Sequence, residues 1–200
     1  MTNNPDQENV ILLLTRPLGG NERFCLKIKH LLYSCEILDN PIQKIDFLPS
    51  LSKVNKNSVL IFTSANGLRA AKKHNLINKK CFVVGANTKK IAVSFGYDVL
   101  GCSKDQENLL KLIKSKKPTE ILVHIRGKHT VGNLCDALKR NQFSCLDIIG
   151  YNQEPLKIKK QNLQKIHSGR PVIFPIFSSR SAELLQSNLD LTGFNVIAIS

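Results

Sequence analysis

The sequence lacks most features that would place it outside the ordinary globular class. No apolar run approaches the roughly 18–20 residues that a membrane-spanning helix needs, and the polar first nine residues do not resemble a secretory signal. Aromatic residues make up only 6% of the 200 residues, but hydrophobic residues make up 42%. This composition excludes wholesale disorder and predicts one or two folded domains in the cytoplasm, with no membrane partner.

Signature motifs of several chemistries are also missing. Gly19 and Gly20 do not have the GxGxxG spacing of a dinucleotide site, and the chain contains neither a P-loop nor a GxSxG elbow. The five histidines show no metal-like spacing, and we interpret His124, which lies in a predicted strand, as a core or edge residue without a chemical role. We therefore predict no cofactor and no metal.

The six cysteines are at least ten residues apart. This spacing excludes a CxxC redox pair and a compact zinc site. We expect buried, reduced thiols, as in a cytosolic protein.

Acidic residues are few: 15 against 29 basic residues, for a net charge of +14. Such a balance is compatible with nucleic acid, an anionic membrane surface or a polyanionic small molecule. The lysines are spread along the chain and few aromatic residues accompany them, so stacking platforms for bases are not evident. The charge is therefore compatible with an acidic ligand but does not identify one, and we predict no nucleic-acid partner.

Short apolar runs alternate with amphipathic stretches along the chain. The run at residues 10–15 is typical of a strand buried on both faces of a parallel sheet, and residues 21–32 predict the helix that follows it. Further strands are predicted at residues 58–63, 80–85, 121–125, 171–176 and 196–199. This alternation predicts an α/β protein with parallel sheets.

The chain also resembles itself. An offset of 110 residues relates Arg16, Cys25 and Cys35 to Arg126, Cys135 and Cys145. A second pairing sets residues 61–64 against residues 174–178. Duplication predicts two similar α/β units, with chance similarity as the alternative.

Two polar, proline-containing segments, residues 39–45 and 150–155, are candidates to link the units. If they pair as a two-stranded ladder, the chain leaves one domain and later returns to it. We therefore predict a discontinuous domain of residues 1–38 plus 153–200 and a continuous domain of residues 42–150.

Several ordered motifs resemble those of the uroporphyrinogen-III synthase family. They are Leu13-Leu14-Thr15-Arg16-Pro17, Phe62-Thr63-Ser64-Ala65-Asn66-Gly67, Val83-Val84-Gly85-Ala86-Asn87-Thr88, Arg126-Gly127, Gly150-Tyr151 and Phe177-Ser178-Ser179-Arg180-Ser181-Ala182. The resemblance implies two Rossmann-like (flavodoxin-like) parallel-sheet domains joined by a two-stranded linker. It also implies a monomeric, cofactor-free cyclising lyase that closes the linear tetrapyrrole hydroxymethylbilane with inversion of ring D.

The family pattern continues past the position of Ser200 with a further turn and helix. We therefore expect the discontinuous domain to lack its carboxyl-terminal elements and the isomer specificity of the 200-residue chain to be low. A non-catalytic or degenerate two-lobed anion-binding module is an alternative from another class, and a nucleic-acid-binding protein is a third.

The candidate binding residues fall where predicted strands end and helices begin. Parallel sheets bind ligands at this edge, where helix amino termini favour carboxylates. The predicted substrate-binding residues are Thr15, Arg16, Ser64, Asn66, Thr88, Arg126, Ser178 and Ser179. Helix capping is the alternative for the hydroxyls of Ser64, Thr88 and Ser178.

The two arginines and Tyr151 have alternatives of their own. Arg16 and Arg126 are expected to pair with carboxylates, for which a guanidinium is a bidentate match, although both are compatible with simple solvation. The resemblance implies that Tyr151 donates a proton to the leaving hydroxyl, whereas a half-buried linker tyrosine is the alternative.

Overall fold

A computed structural model describes residues 10–17, 19–31, 35–51 and 54–198 of the chain. The chain forms two compact units, of which unit 1 falls within residues 1–45 and 154–200 and unit 2 is residues 46–153. None of the described helices is long and apolar enough to cross a membrane.

Unit 1 is built around a four-stranded parallel sheet. Its elements are β1 (Val10–Leu14), α1 (Gly20–Ile28), β2 (Cys35–Asp39), α6 (Lys160–Ile166), β9 (Val172–Ile176), α7 (Ser179–Gln186) and β10 (Asn195–Ala198). The strand order is β10-β9-β1-β2, so the strands from the two ends of the chain share one sheet. Its core includes Ile11, Leu13 and Phe174, all fully buried.

Unit 2 is built around a six-stranded sheet with the order β3-β8-β7-β4-β5-β6. Its elements are β3 (Gln43–Phe47), β4 (Val59–Phe62), α2 (Ala65–Lys73), β5 (Lys80–Val84), α3 (Ala86–Ser94), β6 (Asp98–Ser103), α4 (Gln106–Lys116), β7 (Leu122–Gly127), α5 (Leu134–Arg140) and β8 (Cys145–Pro155). The five strands from β8 to β6 in this order pair in parallel. The division between the units falls inside β3 and β8, which are neighbours at one edge of this sheet.

The predicted α/β class with parallel sheets is confirmed. Apolar runs locate β1, β4, β5, β7 and β9 to within about three residues at either end, because these strands are buried on both faces. The helix predicted at residues 21–32 is shorter: α1 ends at Ile28 and a 3-10 turn, Lys29–Leu31, follows. The structure adds β6, α4 and α6, which the sequence analysis did not predict.

The expectation of six reduced, buried thiols is wrong. Cys135 and Cys145 form a disulfide with a Cα–Cα distance of 5.5 Å. The chain reverses sharply after α5, where Gln142 takes a φ of 66° and the Phe143 N–H donates to the Leu138 carbonyl, so the start of β8 returns to the helix. Spacing rules for CxxC motifs say nothing about such a contact.

The other four cysteines are free. Only Cys81 among them is buried, and burial raises the pKa of its thiol to about 12. Cys25, Cys35 and Cys102 are partly exposed.

We expect the Cys135–Cys145 disulfide to stabilise unit 2. A bridge that closes a short loop in the unfolded chain contributes about 2–4 kcal/mol. A reducing agent should therefore lower the free energy of unfolding by this amount in denaturant titrations. The double variant C135A/C145A serves as control, because it should be insensitive to the reductant. Thiol titration of the unreduced, denatured chain should find the four free thiols and not six; six would contradict the bridge.

Candidate functional site

The candidate site in unit 2 lies at the edge where its parallel strands end. Ser64 follows β4, Thr88 follows β5, Arg126 lies near the end of β7, and Tyr151 lies on β8 beside it. Because β4, β5, β7 and β8 run in the same direction, all four residues belong to the carboxyl edge of one sheet.

Tyr151 is buried and bonded to Ser64. The tyrosine is only 4% exposed, and its hydroxyl lies 2.8 Å from Ser64 Oγ. Ser64 is the N-cap residue of α2, but its side chain makes no capping hydrogen bond. The capping alternative therefore does not account for Ser64, whose hydroxyl is directed at the phenol.

Tyr151 stays protonated at neutral pH. Burial raises the pKa of its phenol, and the hydrogen bonds at Ser64 and at the Gly127 backbone offset only part of that effect. A neutral phenol has one proton to donate. Tyr151 can therefore supply a proton or a hydrogen bond at this edge of the sheet.

Gly127 provides the space for the tyrosine ring. It is the register partner of Tyr151 across a β-bulge between β7 and β8. A Cβ at Gly127 would lie 2.8 Å from Tyr151 Cε2 and 2.6 Å from Gln153 Oε1, closer than side chains tolerate. Only glycine lets the ring lie against the β7 backbone here.

Two other predicted residues of unit 2, Thr88 and Asn66, lie in the first turns of α3 and α2. Thr88 is the third residue of α3, whose N-cap is Gly85, so capping does not explain the Thr88 hydroxyl either. Thr88 is buried, at 6% exposure. Asn66 Oδ1 accepts a hydrogen bond of 2.8 Å from Arg69 Nη1 within α2.

Arg126 belongs to a polar network inside the protein. Its Nε lies 3.1 Å from Asp147 Oδ1, and the same oxygen lies 2.9 Å from Nδ1 of His124. His124, only 2% exposed, places its Nε2 3.1 Å from Thr63 Oγ1. His124 is the buried, hydrogen-bonded histidine that the sequence indicated, and Arg126 has a carboxylate partner within the chain.

Asp147 is ionised at neutral pH. Partial burial alone raises the pKa of its carboxyl, but the hydrogen bonds that it accepts from His124 and Arg126, together with the guanidinium charge, outweigh burial, so the pKa is lowered. An ionised carboxylate only accepts hydrogen bonds.

Unit 1 places its predicted residues at the carboxyl ends of two neighbouring strands, β1 and β9. Thr15 is buried, at 2% exposure, and its carbonyl accepts from the Ile42 N–H. The Arg16 guanidinium lies 4.1 Å above the ring centroid of Phe177, and its backbone N–H donates to Asn21 Oδ1. Phe177 thus fixes the direction of Arg16 by a cation–π contact.

Ser178 and Ser179 begin α7. Ser178 Oγ accepts from the Ser181 N–H at 3.1 Å, so the capping alternative applies to Ser178. Both serines are exposed. A capping hydroxyl accepts the Ser181 N–H with a lone pair and keeps its own proton, which can be donated to Ser181 Oγ, 2.8 Å away, or to a carboxylate, so capping is compatible with a ligand contact.

The sequence matches the family model described as uroporphyrinogen-III synthase HemD over residues 33–200. This match covers well over half of the chain. The chain belongs to the uroporphyrinogen-III synthase family. It is therefore a cyclising lyase of tetrapyrrole biosynthesis.

Solved structures of two uroporphyrinogen-III synthases share the fold. The enzyme from Helicobacter pylori 26695 is 12% identical, with a TM-score of 0.64 over 96% of this chain and 84% of that one. A mutant enzyme from the extremely thermophilic bacterium Thermus thermophilus is 13% identical, with a TM-score of 0.56 over 94% and 83%. At these sequence identities, the structural similarity supports a shared fold and nothing further. No curated protein matches the sequence.

The structure adds Thr63, His124, Asp147 and Phe177 to the residues that the family motifs indicate. Thr63 and Phe177 lie inside quoted motifs, beside predicted residues. His124 and Asp147 are cross-strand register partners on β7 and β8, 23 residues apart, and no short motif marks such a pair.

Two cavities among the described residues lie elsewhere. One of about 440 Å³ includes Arg170 and Phe194, and another of about 530 Å³ includes Lys117 and Phe143. Both adjoin the amino ends of strands, opposite the edge that carries the family motifs. We assign the site by its chemistry, because these cavities contain none of the predicted residues. Among the described residues, no group of three His, Cys, Asp or Glu side chains could hold a metal ion.

Gly127→Ala should displace the Tyr151 ring, because the added Cβ overlaps it. Overpacking of this kind costs about 1–3 kcal/mol, and a ring moved toward water loses the burial that raises its pKa. We expect the phenolate titration of Tyr151, followed by ultraviolet absorbance and assigned with Y151F, to shift to lower pH. Gly169→Ala is the control, because a Cβ there meets nothing within 4 Å although its φ is 85°. An unchanged Tyr151 titration in Gly127→Ala would contradict the packing argument.

Proposed function

We propose that this chain converts hydroxymethylbilane, a linear tetrapyrrole with eight carboxylates, into uroporphyrinogen III with inversion of ring D. The observation that carries the proposal is the buried, protonated Tyr151 bonded to Ser64 at the carboxyl edge of the unit 2 sheet. Family membership supports the reaction class.

The reaction needs one proton at its start. Protonation of the terminal hydroxyl lets it leave as water and generates a cationic azafulvene. Ring D then attacks through a spiro intermediate, and ring closure later releases a proton. Tyr151 is the proposed donor to the leaving hydroxyl, with Ser64 orienting its O–H.

The rest of the catalytic effect is positional. The same substrate closes unaided to isomer I, so the protein must hold the chain in the conformation from which ring D inverts. Few indispensable side chains are expected under this proposal.

We assign the acetate and propionate groups of the substrate to the remaining polar turns. The proposed binding residues are Thr15, Arg16, Ser64, Asn66, Thr88, Ser178 and Ser179. Arg126 stays a proposed binding residue as well, since Asp147 meets its Nε and the guanidinium has further N–H donors for a carboxylate.

We further infer that units 1 and 2 are two Rossmann-like domains and that β3 and β8 form the two-stranded linker. The adjacency of β3 and β8, with the unit boundaries inside both strands, supports this assignment. We take the monomer, which the family resemblance implies, as the working form.

Tyr151→Phe should keep the fold and slow the formation of isomer III. Removal of a general acid lowers the rate by about 10²–10⁴-fold, because water substitutes poorly. The measurement is the formation of isomer III against the spontaneous isomer I background, using freshly generated hydroxymethylbilane.

Tyr97→Phe is the matched control for this variant. Tyr97 is a buried tyrosine of the same unit whose hydroxyl donates to the Leu76 carbonyl at 2.5 Å, away from the motif residues. It should lose stability but keep its isomer ratio. Wild-type turnover by Tyr151→Phe would remove Tyr151 from the proton-donor role, and absence of isomer III from the wild-type chain would leave the anion-binding alternative.

Arg16→Ala should weaken tetrapyrrole binding more than it slows turnover. A hydrogen bond to a charged group contributes about 1.5–3 kcal/mol, or roughly ten- to a hundredfold in affinity. Lys27→Ala, which removes an exposed charge from α1, should leave the affinity near the wild-type value. An equal loss of affinity in both variants would indicate that the overall positive charge, and not the pairing of Arg16 with a carboxylate, accounts for the effect.

A further inference from the structure

A chain of hydrogen bonds runs across three neighbouring strands of unit 2 and ends on Thr63. It begins at Arg126, whose Nε meets Asp147 Oδ1, continues through His124, and ends where Nε2 meets Thr63 Oγ1 at 3.1 Å. Ile61 of β4, His124 of β7 and Asp147 of β8 are successive register partners, so the backbone ladder itself aligns the chain.

The direction of each hydrogen bond follows from the ionised Asp147. A carboxylate only accepts, so the His124 nitrogen facing it, Nδ1, must carry a proton. In a neutral imidazole the other nitrogen, Nε2, then has a lone pair and no hydrogen. With His124 neutral, Thr63 therefore donates its hydroxyl proton to Nε2.

The hydrogen bond to His124 determines what else the Thr63 hydroxyl can bind. A hydroxyl has one proton and two lone pairs, and the proton of Thr63 is already used. Toward a ligand, Oγ1 of Thr63 is thus an acceptor only. It suits an N–H donor and does not suit a carboxylate, in contrast to the hydroxyls assigned to acetate and propionate groups.

Thr63 lies where such a donor would arrive. It directly precedes Ser64, the partner of Tyr151, and like Ser64 it is half-buried at the carboxyl end of β4. The donors that a linear tetrapyrrole carries, apart from its hydroxymethyl group, are its pyrrole N–H groups.

We propose that Thr63 accepts a hydrogen bond from a pyrrole N–H of the tetrapyrrole, with His124 and Asp147 as positioning residues that keep its hydroxyl in the acceptor state. This inference rests on the proposed function for the identity of the ligand. The donor becomes more acidic when the azafulvene cation forms, so the hydrogen bond strengthens during the reaction. The Asp147–His124 chain polarises the Thr63 oxygen further.

The first experiment tests the hydrogen-bond direction without any ligand. Nitrogen-15 NMR of the histidine side chains, with His124 assigned by its absence in H124Q, should show a neutral ring protonated at Nδ1. In Asp147→Asn the amide can donate to Nδ1, so the proton should move to Nε2. A wild-type His124 protonated at Nε2 or at both nitrogens would overturn the proposal, whether or not the chain makes isomer III.

The second experiment separates N–H recognition from carboxylate recognition. The probes are uroporphyrinogen III, which has four pyrrole N–H groups, and zinc uroporphyrin III, which has the same eight carboxylates but no N–H. Thr63→Val should lower the affinity for the first probe by about tenfold or more and leave the second unchanged. Thr63→Ser, which keeps the hydroxyl, should restore the affinity.

The two Thr63 variants should also differ in the rate at which they form isomer III. Thr63→Val should lower the turnover rate at saturating hydroxymethylbilane, and Thr63→Ser should recover it. If Thr63 had a purely structural role, both variants would lower the turnover rate. Equal weakening of both probes, or of neither, by Thr63→Val would overturn the proposal. A wild-type chain that binds neither probe and makes no isomer III would instead refute the proposed function, and the N–H contact with it.

Discussion

The parallel direction of the strands is the constraint on which the rest of the molecule depends. Within the described part of the chain, seven strand pairs, from β1–β2 to β7–β8, are parallel. Parallel neighbours need a crossover between them, and most of these crossovers contain a helix that covers a sheet face. The strand interiors are therefore apolar, as in β4, which is buried throughout. Most of the polar site residues therefore stand at strand ends, and Thr15, Ser64, Thr88 and Ser178 all follow a strand. His124, Asp147 and Tyr151 are the exceptions, because they lie inside β7 and β8, where each has a hydrogen-bond partner.

The sequence predicts the strands better than the contacts between them. A strand buried on both faces leaves a continuous apolar run, as in β1 and β9, whereas β6 is only partly buried and has no such run. The motifs indicate Ser64 and Tyr151 separately, but their contact joins residues 87 positions apart. Likewise, Asp147 meets His124 because of the register between β7 and β8. Local patterns carry no information about register, so neither pairing was predictable, nor was the Cys135–Cys145 bridge.

Burial gives each of the few polar groups near the core a specific hydrogen-bond partner. A buried hydroxyl or imidazole without a partner would cost about 1–3 kcal/mol, so Tyr151 and His124 are each bonded. The geometry leaves the Ser64–Tyr151 bond open in direction, since either hydroxyl can donate. With a neutral His124, the Thr63–His124 bond has one direction, since the Nδ1 proton is donated to Asp147. The two adjacent hydroxyls of residues 63 and 64 thereby acquire different hydrogen-bonding characters.

This difference bears on how a strongly basic chain can handle a strongly acidic substrate selectively. A net charge of +14 attracts any polyanion and raises the encounter rate, but it does not distinguish one arrangement of carboxylates from another. Isomer III and isomer I carry the same charges and differ in the orientation of one ring. Selection between them must therefore come from directional contacts, either to individually placed carboxylates or to the ring system. An acceptor held by Asp147 and His124 is such a contact, because it responds to where a pyrrole N–H points and is indifferent to the surrounding charge.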